Sequence, residues 1–244
     1  MPEPEFLAPG WTVPPRVRAA MTTRAGGVST GAYASFNLAT HVGDDPAAVA
    51  ENRRRLRDTL GLPAEPAWLE QVHGTGVAVL PAAAQAPADA AVTFTRGVVC
   101  AVLVADCLPV FLAGRAGDRV AIAHAGWRGL AAGILEATIA ALACTPGELV
   151  AWLGPSIGPR AFEVGAEVRD AFTAQDAGAA AAFHPGRAGR WLADLPGLAR
   201  RRLAAAGVTA VSGGDLCTHG DAARFYSFRR DGVTGRLAAL AWLD

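Results

Sequence analysis

Five short runs of this chain, residues 98–104, 120–124, 149–153, 208–211 and 237–243, are apolar almost without interruption. A strand with one wet face alternates apolar and polar residues, whereas a continuous apolar run needs cover on both faces. Helix signals punctuate the runs. Asp45-Pro46 supplies a capping residue followed by proline at a first helical position, Val49, Leu56 and Leu60 mark one apolar side, and Gly61 closes the segment. Residues 129–143 carry Leu130, Ile134 and Leu142 on one stripe, and Asp194-Leu195-Pro196 opens a further helix that stops at Gly207. Strands alternate with helices, and no Ser- or Gly-rich linker separates them. The pattern predicts an α/β (α+β) fold: a single layered domain over residues 1–244 with a mixed β-sheet covered by helices. The alanine-rich patches 82–91 and 174–182 read as surface connections or marginal helices.

With 244 residues, 52% of them hydrophobic and 18% charged, the chain can bury a substantial core. Its formal net charge of +0 argues against an extended surface for nucleic acid. The run Arg53-Arg54-Arg55-Leu56-Arg57 falls inside the first helix and reads as a solvated face with one or two packing arginines. All 22 basic residues are arginine. Schiff-base chemistry through lysine and a Walker-type phosphate loop are therefore excluded, and any anion has to be held by guanidinium groups, whose bidentate fork suits phosphate. Four cysteines, Cys100, Cys107, Cys144 and Cys217, do not make a disulfide framework in a chain of this length, which points to a reducing, cytoplasmic setting. The segment Met1 to Glu5 lacks the basic region and apolar core of a signal peptide, and no apolar stretch reaches the length of a membrane span.

The run 98–104 leads into Ala105-Asp106-Cys107-Leu108-Pro109, and residues 120–123 lead into His124-Ala125-Gly126-Trp127-Arg128-Gly129. Two such strands ending side by side would bring a thiol and an imidazole to one edge of a sheet, where open α/β sheets keep their chemistry. His73, in Gln71-Val72-His73-Gly74, begins another strand-like run at 77–80. A lone cysteine is usually a small buried hydrophobe and a lone histidine a structural group. Each of these three, however, stands where an apolar run breaks into Gly or Pro, with room for a ligand. Two histidines and a cysteine make a three-ligand zinc site whose fourth position is open, and the same set binds Cu(II) in vitro.

The surrounding blocks are Thr23-Arg24-Ala25-Gly26-Gly27-Val28-Ser29, Ser35-Phe36-Asn37-Leu38, His41-Val42-Gly43-Asp44, Asn52-Arg53, Leu153-Gly154-Pro155-Ser156-Ile157-Gly158-Pro159, Phe162-Glu163-Val164-Gly165, Ser227-Phe228-Arg229-Arg230-Asp231 and Thr234-Gly235-Arg236. Together with the three motifs above they resemble the YfiH-like family, also described as laccase-domain or polyphenol-oxidase-like, whose members are understood as purine nucleoside phosphorylases. The resemblance runs almost the whole length. It implies zinc held by His73, Cys107 and His124. It also implies purine nucleosides (adenosine, inosine, guanosine or methylthioadenosine) and phosphate as substrates, with an accompanying adenosine deaminase activity. A monomer is compatible with it.

A zinc ion with three protein ligands lowers the pKa of bound water toward about 7, which makes hydroxide available to attack C6 of adenine. Phosphorolysis instead brings phosphate to the anomeric carbon while the purine departs. Arg24, in a glycine-containing loop, is the first candidate for holding phosphate, with Arg229 or Arg230 after it. Asn37 is the candidate for ribose or base, and Asp106 for orienting a metal-bound histidine. Two other functions compete. A copper-binding polyphenol oxidase (laccase-like) would need roughly twice the five histidines present. A metal-free cysteine hydrolase would use Cys107 as nucleophile and His124 as base, but has no use for His73. His41, His184 and His219 have no assignable chemistry, and His41 reads as a structural hydrogen-bonding group.

Overall fold

The computed structural model describes residues 3–81 and 87–244. The apolar runs divide between two sheets. The first has the order β1 (Phe6–Leu7), β2 (Val17–Thr22), β14 (Leu237–Leu243), β6 (Val99–Val104), β3 (Ala67–Trp68). The second has the order β13 (Ala210–Gly213), β9 (Leu149–Leu153), β7 (Leu108–Gly114), β8 (Val120–Ala125), β5 (Ala90–Thr93), β4 (Val77–Leu80). Both are mixed: β3 and β6 run parallel in the first, as do β9 with β13 and β4 with β5 in the second. A three-stranded antiparallel sheet joins β10 (Glu163–Val164), β12 (Trp191–Ala193) and β11 (Phe183–Pro185).

The two faces of β6 show why its sequence is apolar throughout. Cys100, Val102 and Val104 pack with Phe111, Val120, Ile122, Val150 and Trp152 of the second sheet. Val99, Ala101 and Leu103 pack on the other side with Leu56 of helix α1 (Pro46–Leu60). On the second sheet, Leu108, Val110, Leu112, Ala121 and Ala123 cluster with residues of α3 (Ile134–Ala141) and α5 (Leu195–Ala205). The layers therefore run helix, sheet, sheet, helix, so the central strands are covered once by a sheet and once by helices. The α+β class with mixed, helix-covered β-structure is as the sequence predicts, but the single mixed sheet expected is two facing sheets.

Local signals set the helix ends. Asp45 accepts the Ala47 N–H at 3.0 Å, and Gly61 adopts φ 57°, the left-handed conformation that ends helices. Asp194 caps α5 through the Gly197 N–H at 2.9 Å. The basic run on α1 is a paired surface: Arg54 bridges Glu51 and Asp58, Arg57 meets Glu65, and Arg53 lies 4.2 Å over the Trp68 ring.

Elsewhere the structure differs from the sequence reading. The helix expected at 129–143 is two, α2 (Trp127–Ala132) and α3, because Gly133 at φ 107° breaks the ladder. The strand expected at 208–211 is β13 at Ala210–Gly213. Leu108-Pro109, read as a break, opens the buried strand β7, where proline is tolerated because it stands near the strand's start. In the patch 82–91, residues 82–86 lie outside the described residues, while Ala90 and Ala91 are buried in β5 and are no surface connection. In the patch 174–182, a 3-10 helix at Ala177–Ala182 buries Ala179 and Ala182.

Candidate metal centre

β6 and β8 lie in different sheets and do not end side by side; Cys107 meets His124 because it leads straight into β7, the antiparallel neighbour of β8. Residues 105–107 instead cross from the first sheet to the second. Asp106 is the pivot, at φ 84°, a region that few non-glycine residues adopt. Its carboxylate accepts from Thr218 Oγ1 at 2.6 Å, Ser227 Oγ at 3.0 Å and the Arg229 N–H at 2.7 Å. Both of its oxygens are thereby engaged, and Asp106 holds the crossing strand in place without reaching a histidine ring.

The carboxylate that does reach one is Asp89. The β5–β8 register pairs Ala90 with Ala123, which sets Asp89 across from His124. The His124 N–H donates to the Asp89 carbonyl at 2.7 Å, and His124 Nδ1 lies 2.8 Å from Asp89 Oδ1. The same carboxylate, fully buried, accepts the backbone N–H groups of Val72 at 3.2 Å, His73 at 2.9 Å and Gly74 at 2.6 Å. One buried acid thus orients the His124 ring and fixes the loop carrying His73, itself at φ 60°. Gln71 ties that loop to the first sheet by exchanging hydrogen bonds with the Leu103 backbone at 2.7 and 2.9 Å. The sequence reading passed over Asp89 as part of an alanine-rich connection. The signal was there: a lone acid immediately before the apolar stretch Ala90-Ala91-Val92.

The β7–β8 register places Leu108 opposite Ala125, which brings Cys107 beside Gly126. A Cβ on Gly126 would stand 2.9 Å from Cys107 Sγ and 3.1 Å from His73 Cδ2, and one on Gly129 would stand 2.8 Å from the Gly74 carbonyl. Glycine at these two places lets the three ligand residues close up. Cys107 Sγ is 3.9 Å from His73 Nε2, and the three ligand atoms lie within 4.8 Å of one another. Bond lengths of about 2.0–2.3 Å to a tetrahedral ion put such atoms about 3.5 Å apart, so a small closure completes the set. Burial works against the Cys107 thiolate, but the facing His124 and His73 outweigh it and bring its pKa down to about 6. Burial likewise opposes charge on His124, and Cys107 and Asp89 outweigh it, raising its pKa to about 9. A thiolate flanked by two imidazoles has the donor chemistry of a metal site. Among the described residues, these three form the one such group, and it can hold a metal ion. Cys100, by contrast, is buried among apolar neighbours that push its thiol well up, which leaves it inert.

The three ligands line a cavity of about 540 Å³ together with Leu69, Leu103, Val104, Phe228, His41 and Arg236. The other sequence candidates are not on its lining. Arg24 stacks 4.7 Å from the Tyr226 ring and donates to the Ala34 and Ala222 carbonyls. Arg229 donates to the Glu163 carbonyl, and Arg230 to the Thr218, His219 and Phe225 carbonyls and to Asp231. Asn37 is buried, accepting from the Arg236 N–H at 2.9 Å and donating to Asp44. Its amide groups serve the fold, not a ribose. His41 lines the cavity, contrary to its reading as structural, whereas His219 borders a separate cavity beside Cys217.

Residues 18–244 match a family model described as multi-copper polyphenol oxidoreductase laccase. The chain is 56% identical over 240 residues to a purine nucleoside phosphorylase of Pseudomonas aeruginosa, covering 98% of each. It is 52% identical over 241 residues to the purine nucleoside phosphorylase YfiH of Escherichia coli, covering 98% of this chain and 99% of that one. A solved protein of Neisseria meningitidis superposes with a TM-score of 0.93 at 51% identity, over 98% of this chain and 99% of that one. YlmD from Geobacillus stearothermophilus superposes with a TM-score of 0.87 at 32% identity, over 94% and 92%. By family match, relatives and fold alike, the chain belongs to the YfiH-like, laccase-domain family, several of whose members bear the name purine nucleoside phosphorylase.

Proposed function

We propose that the chain is a zinc-dependent purine nucleoside phosphorylase. It cleaves adenosine, inosine, guanosine or methylthioadenosine with phosphate to free base and the (methylthio)ribose 1-phosphate, and it deaminates adenosine as an accompanying reaction. The observation that carries this reading is the convergence of His73, Cys107 and His124 on one wall of a cavity large enough for a nucleoside. The names of the relatives agree with it. Two imidazoles and a thiolate suit zinc, with copper a competing occupant in vitro. When bound, the ion supplies Lewis acidity at that wall.

The chain's own residues supply the rest. Leu69, Leu103 and Val104 offer apolar surface to a purine, and Phe228, 58% exposed on the lining, offers a ring face for stacking. Asp89 holds His124 by Nδ1 and leaves Nε2 for the reaction centre. In phosphorolysis the C1′–N9 bond breaks and its electron pair leaves with the purine, while C1′ bonds to a phosphate oxygen. The site must therefore hold an anion on one side of the sugar and relieve developing charge on the base at the other. Ligand residues come from the loop before β4, the crossing between the sheets and β8, so we take residues 1–244 as one functional domain. Four free cysteines fit a reducing, cytoplasmic setting. No helix among the described residues is long and apolar enough to cross a membrane.

The test is chromatography of inosine and adenosine reactions with and without phosphate. Inosine should give hypoxanthine and ribose 1-phosphate only with phosphate present, and Cys107→Ala should abolish this. Free base released from inosine without phosphate, or wild-type rates of phosphorolysis in Cys107→Ala, would overturn the reading, whereas adenosine should give inosine with or without phosphate. A second reading has one observation behind it: Asp89, His124 and Cys107 are also arranged as acid, base and nucleophile of a metal-free cysteine hydrolase. That reading requires His73→Ala to keep its activity, whereas the metal reading requires it to lose both metal and activity.

A further inference from the structure

The chain has no lysine, so a phosphate on this cavity needs an arginine whose donors are not already used. Arg230 spends all of its donors on main-chain carbonyls and Asp231, and Arg24 and Arg229, each tied to main-chain carbonyls, stand off the lining. Arg236 is the one arginine on the lining. Its Nη1 is held by the Thr234 and Gly235 carbonyls at 2.8 and 3.1 Å, which fixes the guanidinium plane. Its Nε and Nη2 have no protein acceptor among the described residues. No carboxylate pairs with it there either: burial works against its charge, and the nearby Cys107 and Asp106 act on it only through space. Its main chain is anchored through the buried Asn37 to Arg236 N–H bond, and Phe228 covers the guanidinium at 5.8 Å.

A half-buried cation without a counter-ion is costly unless something anionic visits it. His41 lines the same cavity, and its burial first, then the nearby Arg236 and Arg53 cations, hold the imidazole below its ordinary pKa. At neutral pH it is therefore a neutral ring with one N–H to donate. The single acid on the lining, Glu70, makes no ion pair with Arg236.

We propose that Arg236 and His41 form the anion site of this cavity, with Arg236 binding inorganic phosphate through Nε and Nη2 and His41 donating a further hydrogen bond. This rests on the phosphorylase reading for its choice of phosphate. The anion then sits in the same cavity as the His73, Cys107 and His124 wall, where a nucleoside can lie between the two. Planar bidentate contact is what a guanidinium offers and an ammonium does not.

The experiment uses the full chain with its metal content verified by elemental analysis. Direct binding of inorganic phosphate is measured by calorimetry, and the KM values for phosphate and inosine are measured separately. Arg236→Gln should weaken phosphate binding and raise the phosphate KM by at least about tenfold, with the inosine KM within about threefold and metal content unchanged. Arg236→Lys should recover only part of this. His41→Gln, at an exposed position, should raise the phosphate KM about threefold, and it decides the matter if the Arg236 variants do not fold. Unchanged phosphate affinity in Arg236→Gln, or in His41→Gln where that variant has to decide, overturns the inference and leaves the phosphorylase reading standing. Should the wild type not phosphorolyse inosine at all, that reading fails, and the calorimetric comparison still judges the anion site.

Discussion

Replacing Asp89 by Asn tests whether one carboxylate holds two metal ligands in place. The change keeps the side chain's size. Oδ1 now accepts from the His73 N–H and His124 Nδ1, and Oδ2 from the Val72 and Gly74 N–H groups. Whichever way the amide of an asparagine is turned, its NH2 faces two donors, so two of four hydrogen bonds become donor-to-donor contacts in a fully buried place. Hydrogen bonds to a charged acceptor contribute about 1.5–3 kcal/mol each, so the metal-free variant should lose about 3–5 kcal/mol in guanidinium unfolding. Metal affinity, read by competition with a chromophoric chelator, should fall about 10- to 100-fold because the His124 ring loses its orienting partner. The pH dependence has a definite sign. Burial works against ionised Asp89, but the His124 ring and the N–H groups of Gly74 and Val72 outweigh it and hold the carboxyl below its usual range. A depressed folded pKa adds stability that is complete above the unfolded value of about 4 and is lost as pH falls through the folded one. Metal-free wild type should therefore lose more stability than Asp89→Asn on acidification below about pH 4. A variant within about 1 kcal/mol of wild type, with chelator competition unchanged, would refute the reasoning.

Two further outcomes follow from the packing of the ligand blocks. Gly126 has φ −62°, which alanine adopts without strain, so the effect of Gly126→Ala is confined to the methyl that meets Cys107 Sγ and His73 Cδ2. Metal content should drop below half an equivalent while the melting temperature of the metal-free protein moves little, and a full equivalent of metal would show that the ligands can move aside. Asp106→Ala strands the donors of Thr218, Ser227 and Arg229 and should cost about 3–5 kcal/mol in denaturant unfolding. A loss under about 1 kcal/mol would mean that the crossing between the sheets is held by other contacts.

The sequence by itself determined what short-range chemistry decides. Asp45-Pro46 and Gly61 bound α1 because a cap and a left-handed glycine act on their immediate neighbours. Runs such as Val99–Val104 are covered on both faces because a continuous apolar strand cannot face water. The cysteine and two histidines singled out in the sequence do converge on one cavity wall. Only the tertiary structure decided that the strands form two sheets, since the apolar pattern is the same whether a strand's cover is a helix or another sheet. It also decided between acids and between arginines. Asp89 rather than Asp106 supports His124, through a register that brings together residues 35 apart, while Asp106 is claimed by Arg229, 123 residues away. Arg236 rather than Arg24 reaches the cavity, its main chain held by Asn37 from 199 residues away. A carboxylate or guanidinium takes its role from the partners it meets, and these partners are set by strand register and sheet packing, which no local stretch of sequence encodes.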